Sequence, residues 1–367
     1  MKILVTGSCG FVGKNLVQNL KNQKDVIIYE YDKDNNVEDL LKFTQDCDFV
    51  FHLAGVNRTT NFTDFINGNY GLTSELIYCL KQNKNKCPVL FTSSIQAELD
   101  NEYGKSKRQA EDVLIQFHND IGNPILIYRL PNLFGKWCKP NYNSVIATWC
   151  YNISHDLEIK IDDSLKIIKL AYIDDVIKNF INDIQNYDNS QIYYDISITY
   201  EQTLNEIAEL IFSFKNIKND MQLPKVNEEF TKKLYSTYLS YLDENDFVYE
   251  LKMNVDNRGS FTECLKGQDG QVSINICKPG ITKGNHWHNT KVEKFIVIKG
   301  SGQFNFRKVG TKDVISIDIN DHGLRVLDIP PGYIHNFVNN SQDDLIVLIW
   351  CNEIFDKENP DTFFEEI

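Results

Sequence analysis

Met1-Lys2-Ile3-Leu4-Val5-Thr6-Gly7-Ser8-Cys9-Gly10-Phe11-Val12-Gly13 opens the chain and decides the fold of its first half. The apolar run Ile3-Leu4-Val5 predicts a short buried strand, and Lys14 to Leu20 carries a helical pattern. Between them, Gly7, Gly10 and Gly13 permit a tight turn and close backbone approach at a helix N-terminus, where unpaired N–H groups attract a pyrophosphate. A glycine triplet alone is a weak signal, but directly after a strand and before a helix it reads as the phosphate-binding turn of a dinucleotide site. Val26-Ile27-Ile28-Tyr29 is the second strand, so Asp32 and Lys33 lie where an adenosine ribose would arrive. Asp32 suits a free 2′-hydroxyl and Lys33 suits a 2′-phosphate, which leaves NAD and NADP both open.

Two further strands follow, Phe49 to Gly55 and Pro88 to Ser94, with a helical stretch from Phe62 to Asn83 between them. Alternation of strand and helix predicts an α/β unit built on a doubly wound parallel sheet. Tyr103 and Lys107 come next, four residues apart and so on one helix face. An ammonium beside a phenol stabilises the phenolate and lowers the phenol pKa. A surface tyrosine with a solvated lysine has the same spacing; the position just after Thr92-Ser93-Ser94 favours the catalytic reading.

Composition bounds the rest. A chain of 367 residues is long enough for two domains, each with its own core. The formal net charge of −13 speaks against a broad nucleic-acid or anionic-membrane surface. No apolar run approaches the roughly 20 residues of a membrane span, and the first one enters a glycine turn, as a strand does and a signal peptide does not. The nine cysteines are odd in number, scattered and without a C-x-x-C pair, which reads as reduced thiols in a cytoplasmic protein.

Leu223 to Tyr249 breaks the strand–helix rhythm and contains the aromatic run Tyr235 to Leu242, read as a terminal packing helix. The expected domains are residues 1–245 and 246–367. From Val255 onward short strands alternate with glycine turns: Val272–Ile276, Glu293–Ile298, Gly302–Phe306, Val314–Ile319, Arg325–Ile329 and Leu345–Trp350. That is the cadence of an antiparallel, all-β barrel. Within it, His286 and His288 lie one residue apart and share a strand face, and Glu293 and His335 follow. Three imidazoles and a carboxylate suit zinc, iron, manganese or nickel, and spacing does not choose among them.

The first half resembles the extended short-chain dehydrogenase/reductase family that works on nucleotide sugars. The resemblance rests on Thr6-Gly7-x-x-Gly10-Phe11-Val12-Gly13, His52-Leu53-Ala54-Gly55, Asn69, Thr92-Ser93-Ser94, Tyr103 with Lys107, Tyr128 to Asn132, and Tyr172 to Val176. It implies a Rossmann-type domain in which Gly7, Gly10, Phe11, Val12, Gly13, Leu53, Ala54 and Gly55 line the cofactor. It further implies a catalytic Tyr103, a Lys107 on the nicotinamide ribose, and a hydroxyl from Ser94, or from Ser93, that orients the substrate. Arg129 and Asn132 are then placed near the nucleotide sugar, with Asn141 and Asn143 as further candidates for the same pocket. Sugar 4,6-dehydratases of the family carry an Asp-Glu pair where this chain has Ser93-Ser94, so reduction or epimerisation at C4 is favoured over dehydration.

The spacing from Gly280 through His286, His288 and Glu293 to Gly300, with Pro330 to Asn339 after it, resembles the cupin family. Asp256-x-Arg258-Gly259-x-Phe261-x-Glu263 resembles the opening strand of cupin-fold epimerases that act on 4-keto-6-deoxy nucleotide sugars, where the arginine grips the substrate. Those epimerases use the first cupin histidine as base. A metal-bound His286 is not free for that task, which leaves Lys283, Tyr333 and a metal-bound water open. Lys283 is also placed among the substrate-binding residues.

As a whole the chain resembles a family of bifunctional capsule-precursor enzymes that join these two domains. What that implies is C3 epimerisation of a UDP-2-acetamido-2,6-dideoxy-4-hexulose in the cupin domain, followed by C4 reduction with NADPH. The product is UDP-2-acetamido-2,6-dideoxy-L-talose, on the route to UDP-N-acetyl-L-fucosamine. The resemblance also implies NADP, hence Lys33 over Asp32, zinc as the metal, and a homodimer. The competing readings are a reductase alone, its barrel serving as a dimerisation or ligand-sensing module, and a barrel that binds redox-active iron and works as an oxygenase.

Overall fold

In the computed structural model, which describes residues 1–367, the chain divides into two compact units. One comprises Met1–Phe212 with Lys233–Leu242, the other Ser213–Lys232 with Asp243–Ile367.

The first unit starts with β1 (Lys2–Thr6), α1 (Phe11–Leu20), β2 (Ile27–Tyr31), α2 (Val37–Phe43) and β3 (Phe49–His52). Then come α3 (Phe62–Phe65), one π-helical stretch (Ile66–Gly71), α4 (Leu72–Gln82), β4 (Val89–Ser94), α5 (Glu102–Ile121) and β5 (Ile125–Leu130). It continues with β6 (Asn132–Phe134), α6 (Val145–Ser154), β7 (Ile167–Tyr172), α7 (Ile173–Asn186), β8 (Tyr193–Tyr194) and β9 (Tyr200–Thr203). Two more helices, α8 (Leu204–Asp220) and α9 (Glu229–Leu239), follow, each shared between the two units, the second over the segment expected to be helical.

Six strands form a parallel sheet in the order β2-β1-β3-β4-β5-β8. Period-two alternation gives it two apolar faces. Ile3, Val5, Phe49, Phe51, Leu90 and Leu126 pack in one core with residues of α1 and α7. Leu4, Val50, Val89, Phe91, Ile125 and Ile127 pack in another with residues of α2, α4 and α5. Burying each such side chain contributes about 1.5–3 kcal/mol, so both faces need helical cover. The strand order reverses between β1 and β3, and ligands of open α/β sheets bind beyond the strand ends at such a switch point. The glycine turn after β1 and Leu53-Ala54-Gly55 after β3 both lie there.

The named strands of the second unit all pair antiparallel, as expected. Its strands are β10 (Met253–Asp256), β11 (Gly259–Gly267), β12 (Gly270–Cys277), β13 (Thr282–Trp287), β14 (Glu293–Lys299) and β15 (Ser301–Lys308). They are followed by β16 (Val314–Asn320), β17 (Val326–Ile329), β18 (Tyr333–Val338), β19 (Leu345–Cys351) and β20 (Phe363–Phe364). They form two sheets, β10-β11-β12-β19-β14-β17 and β16-β15-β18-β13-β20, over a core that includes Phe295, Phe304, Phe337 and Val347. The listed sequence strands fall on β12, β14, β15, β16, β17 and β19. β11 carries no apolar alternation, because its buried positions include Ser260 and Thr262, and only the resemblance over Asp256 to Glu263 points to a strand there.

Candidate functional site

A cavity of about 520 Å³ runs along the switch point of the first unit. Gly7, Gly10, Phe11, Val12 and Gly13 line one wall; Leu53 and Gly55 line the next; Ser94, Tyr103 and Lys107 close it on the far side with Asn132 and Asn143. Gly7 has φ +69°, and a Cβ there would sit 2.7 Å from the Ala54 Cα, so only glycine lets the two loops meet. Ala54 itself is tied back, its N–H donating to Thr6 Oγ1 at 3.3 Å. His52 staples the same junction between the Thr6 and Thr73 hydroxyls, at 2.8 and 2.9 Å. Burial drives its pKa down to about 3, so this imidazole is neutral and structural.

Lys107 is 5 % exposed and donates to the Thr92 carbonyl at 2.9 Å. Burial lowers its pKa to about 8, against a smaller opposing pull from Glu111. Burial also raises the Tyr103 phenol, and a hydrogen bond with Ser94 pulls it the other way. The expectation that Lys107 lowers this phenol is therefore not met: its Nζ is turned to Thr92, and burial dominates at Tyr103. Ser93 is committed elsewhere, donating to the buried Glu111 carboxylate.

Asn69 sits in the π-helical stretch, 1 % exposed, and clamps the backbone after Gly55. It accepts from Val56 N–H at 3.1 Å and donates to the Val56 carbonyl and the Ser106 hydroxyl, each at 2.9 Å. Neither Asn69 nor His52 was given a role from sequence beyond membership in a motif.

Other expected residues lie away from this group. Arg129 makes hydrogen bonds to both oxygens of Glu111, at 3.0 and 2.6 Å, and one to Glu98 at 2.8 Å. It lines a separate cavity with Lys169 and Asp195. Asn141 is exposed with φ +54°, its N–H donating to Thr148 Oγ1 at 3.0 Å. Lys33 is exposed, and Asp32 already accepts from the N–H groups of Cys9 and Lys33, both at 2.8 Å. In the second unit Arg258 is exposed and paired with Asp256 at 2.7 Å. Lys283 donates to the Ile276 carbonyl and Asn275 at 2.8 Å and to the Ser260 carbonyl at 3.3 Å.

The structure does bring His286, His288, Glu293 and His335 together, with one ligand atom from each inside 4.8 Å of all the others. A β-bulge makes this possible. Lys283 faces Phe337 and His286 faces His335, with Asn285 as the extra residue, at φ +61°. Paired in regular register, Asn285 would itself lie opposite His335 and His286 would point to the other face. A Cβ on Gly284 would lie 2.8 Å from the His335 carbonyl oxygen, so the bulge needs glycine there.

The tautomers follow from the acceptors. The Nδ1 of His288 faces the Asp361 carbonyl, and that of His335 faces the Tyr333 carbonyl at 3.2 Å. A carbonyl only accepts, so both Nδ1 atoms carry the proton and both Nε2 atoms present lone pairs. Those Nε2 atoms lie 3.4 and 3.3 Å from Glu293 Oε2, and all three are buried without an aligned hydrogen-bond partner. Ligands about 2.1 Å from a tetrahedral ion stand about 3.4 Å apart, so the donor set fits a divalent cation. Burial lowers the His286 pKa to about 4, helped by His335, which keeps that imidazole in its ligand form.

Residues 3–198 match the NAD dependent epimerase/dehydratase family, and residues 254–363 match the polysaccharide biosynthesis C-terminal domain. A Pseudomonas aeruginosa protein named UDP-2-acetamido-2,6-beta-L-arabino-hexul-4-ose reductase is 43 % identical over 364 residues, covering 99 % of this chain and 98 % of its own. The crystal structure of the capsular polysaccharide assembling protein CapF from Staphylococcus aureus is 44 % identical, covers 100 % of both chains and superposes with a TM-score of 0.90. UDP-glucuronic acid 4-epimerase from Bacillus cereus, solved with NAD, shares only the fold, at 20 % identity over 59 % of this chain and 84 % of its own, with a TM-score of 0.54. The first unit's glycine turn and parallel sheet, the second unit's β-sheets, and full-length identity above two fifths together place this chain in the CapF family of the NAD dependent epimerases/dehydratases.

Proposed function

We propose that the first unit is an NADPH-dependent reductase of a UDP-linked 4-keto-6-deoxy amino sugar, and that the second epimerises C3 of the same sugar beforehand. The observation that carries this reading is the meeting of Ser94, Tyr103 and Lys107 in one cleft with the glycine turn. The substrate class comes from the name of the Pseudomonas relative.

In the reductase, a reduced nicotinamide bound in the cleft would supply the hydride to C4. Tyr103 would donate its phenolic proton to the C4 oxygen, which becomes the new hydroxyl. Its raised pKa supports this direction, because a proton donor must arrive protonated. Ser94, already bonded to Tyr103, would hold the same oxygen, and Lys107 would hold the cofactor ribose. In the barrel, His286, His288, Glu293 and His335 would hold a divalent cation, zinc by family resemblance. Its chemistry there is polarisation of the C4 carbonyl, which acidifies the C3 proton. Epimerisation must precede reduction, since the 4-keto group is what makes C3–H acidic.

Arg129 belongs to this proposal as a support of the cleft wall rather than a substrate contact, given its bonds to Glu111. A homodimer in the cytoplasm fits the same reading; no helix is long and apolar enough to cross a membrane. A second reading, a reductase with a catalytically silent barrel, is favoured by Lys283, whose three acceptors compete with a role as base. Proton NMR in D₂O, with the UDP-4-keto sugar and no nicotinamide, separates the two. Loss of the C3–H signal supports the epimerase, and its retention leaves only the reductase.

A further inference from the structure

His335 and Glu293 sit inside strands that have a ladder on both sides, β18 between β15 and β13, and β14 between β17 and β19. His288 lies just past the end of β13 at Trp287, and its own carbonyl takes only the Gly332 N–H at 2.9 Å, which leaves the ring unfixed. What fixes it comes from more than seventy residues downstream. The Asp361 carboxylate accepts from the N–H groups of Asn289 at 2.9 Å, Thr290 at 2.7 Å and Lys291 at 2.9 Å, and from the Thr290 hydroxyl at 3.2 Å. The backbone carbonyl of the same residue takes the His288 Nδ1 proton.

We propose that residues 361–366 form a latch that presets the second histidine ligand for the metal; the proposal rests on reading the four-residue cluster as a metal site. One residue, Asp361, performs two tasks. Its side chain orders the loop that carries His288, and its carbonyl selects the tautomer that leaves Nε2 free. Ordering that loop without a partner would oppose binding through the backbone entropy lost at each residue fixed.

The rest of the segment holds Asp361 in place. Phe363 and Phe364 pair as β20 with Trp287 and His286, and Phe363 stacks on Trp287 with centroids 4.7 Å apart. Glu365 N–H donates to the Asn285 carbonyl at 3.0 Å, on the bulge itself. Arg307 donates to the Glu365 carboxylate at 2.9 Å and to the Glu366 carbonyl at 2.7 Å. Both histidines of the first pair are thus tied to this segment, through the bulge and through the loop. A purely structural strand would change the stability of the barrel; a latch changes metal affinity in the folded protein.

The test is Co²⁺ titration of the full chain after chelation, followed by visible d–d absorption, for the wild type and Asp361→Asn. Loss of a hydrogen-bond partner outside the ligand set typically weakens metal binding by about 10–100-fold, and a weakening of that order is expected with the far-UV dichroism of the metal-free variant unchanged. Equal affinities would overturn the latch alone. A wild type with no saturable Co²⁺ site would overturn the metal reading, and the latch with it. Should Asp361→Asn fail to fold, hydrogen exchange on the metal-free wild type decides. The latch requires slow exchange at Asn289, Thr290 and Lys291, and fast exchange there beside protected β14 amides sinks it.

Discussion

Lys107 Nζ, buried in the cleft of the first unit, donates to the Thr92 carbonyl, and the neighbouring Asn69, Ser93 and His52 side chains each find partners within the chain. The Nε2 atoms of His288 and His335, equally buried in the second unit, face Glu293 and one another with no aligned partner. A buried polar group left unpaired costs about 1–3 kcal/mol, and more when it is charged. The chain bears that cost in the barrel and avoids it in the cleft. The buried polar groups of the cleft are thus satisfied within the chain, whereas those of the barrel are not, which is what the proposed cation site requires.

The sharpest way to break this comparison is Tyr103→Phe. General-acid removal predicts about a 10³-fold drop in C4 reduction, with C3–H exchange in D₂O intact. Loss of both, in a folded variant, would mean one site and not two. Next in size, His335→Ala or exhaustive chelation is expected to cut C3–H exchange by about 100-fold or more and to lower the melting temperature of the barrel. Unchanged exchange would assign the cation a structural role. Arg129→Ala comes third. Removing one partner of a buried pair costs about 3–5 kcal/mol; with Arg129 28 % exposed, solvent screening brings the expected loss nearer to about 2 kcal/mol in urea unfolding. A large rise in substrate KM without that loss would return Arg129 to the binding residues.

The smallest effect concerns pH. Lys107, with its pKa lowered to about 8, is charged below that value and neutral above it. The kcat/KM for the nicotinamide cofactor should then fall about tenfold by about pH 9, one unit past the pKa. Lys107→Arg should abolish this alkaline limb, and its persistence in that variant would move the titration to another group.

Much of this was legible from residue spacing. Strand and helix alternation gave the parallel sheet, and His286, His288, Glu293 and His335 converge as their positions on strands suggested. The phenol was misread because Tyr103 and Lys107 sharing a helix face says nothing about where a long flexible Nζ goes, and the Thr92 carbonyl takes it. The ion pair of Arg129 had a usable signal: Glu111 continues the Tyr103–Lys107 face by one more turn and offers a charge partner. Asn285 could not be found, since an inserted residue leaves the spacing of the histidines untouched. Nor could Asp361, whose tie to the His288 loop crosses seventy residues of intervening β-sheet.

The bulge at Asn285 has a genetic consequence. Asn285 is not a member of the ligand set, yet it sets the phase of the strand that carries two ligands. A codon change there to valine or isoleucine would leave every histidine and Glu293 encoded, with the motif still recognisable, while disfavouring the left-handed backbone that keeps His286 opposite His335. Such a change touches no ligand codon, yet it acts on the position of a ligand.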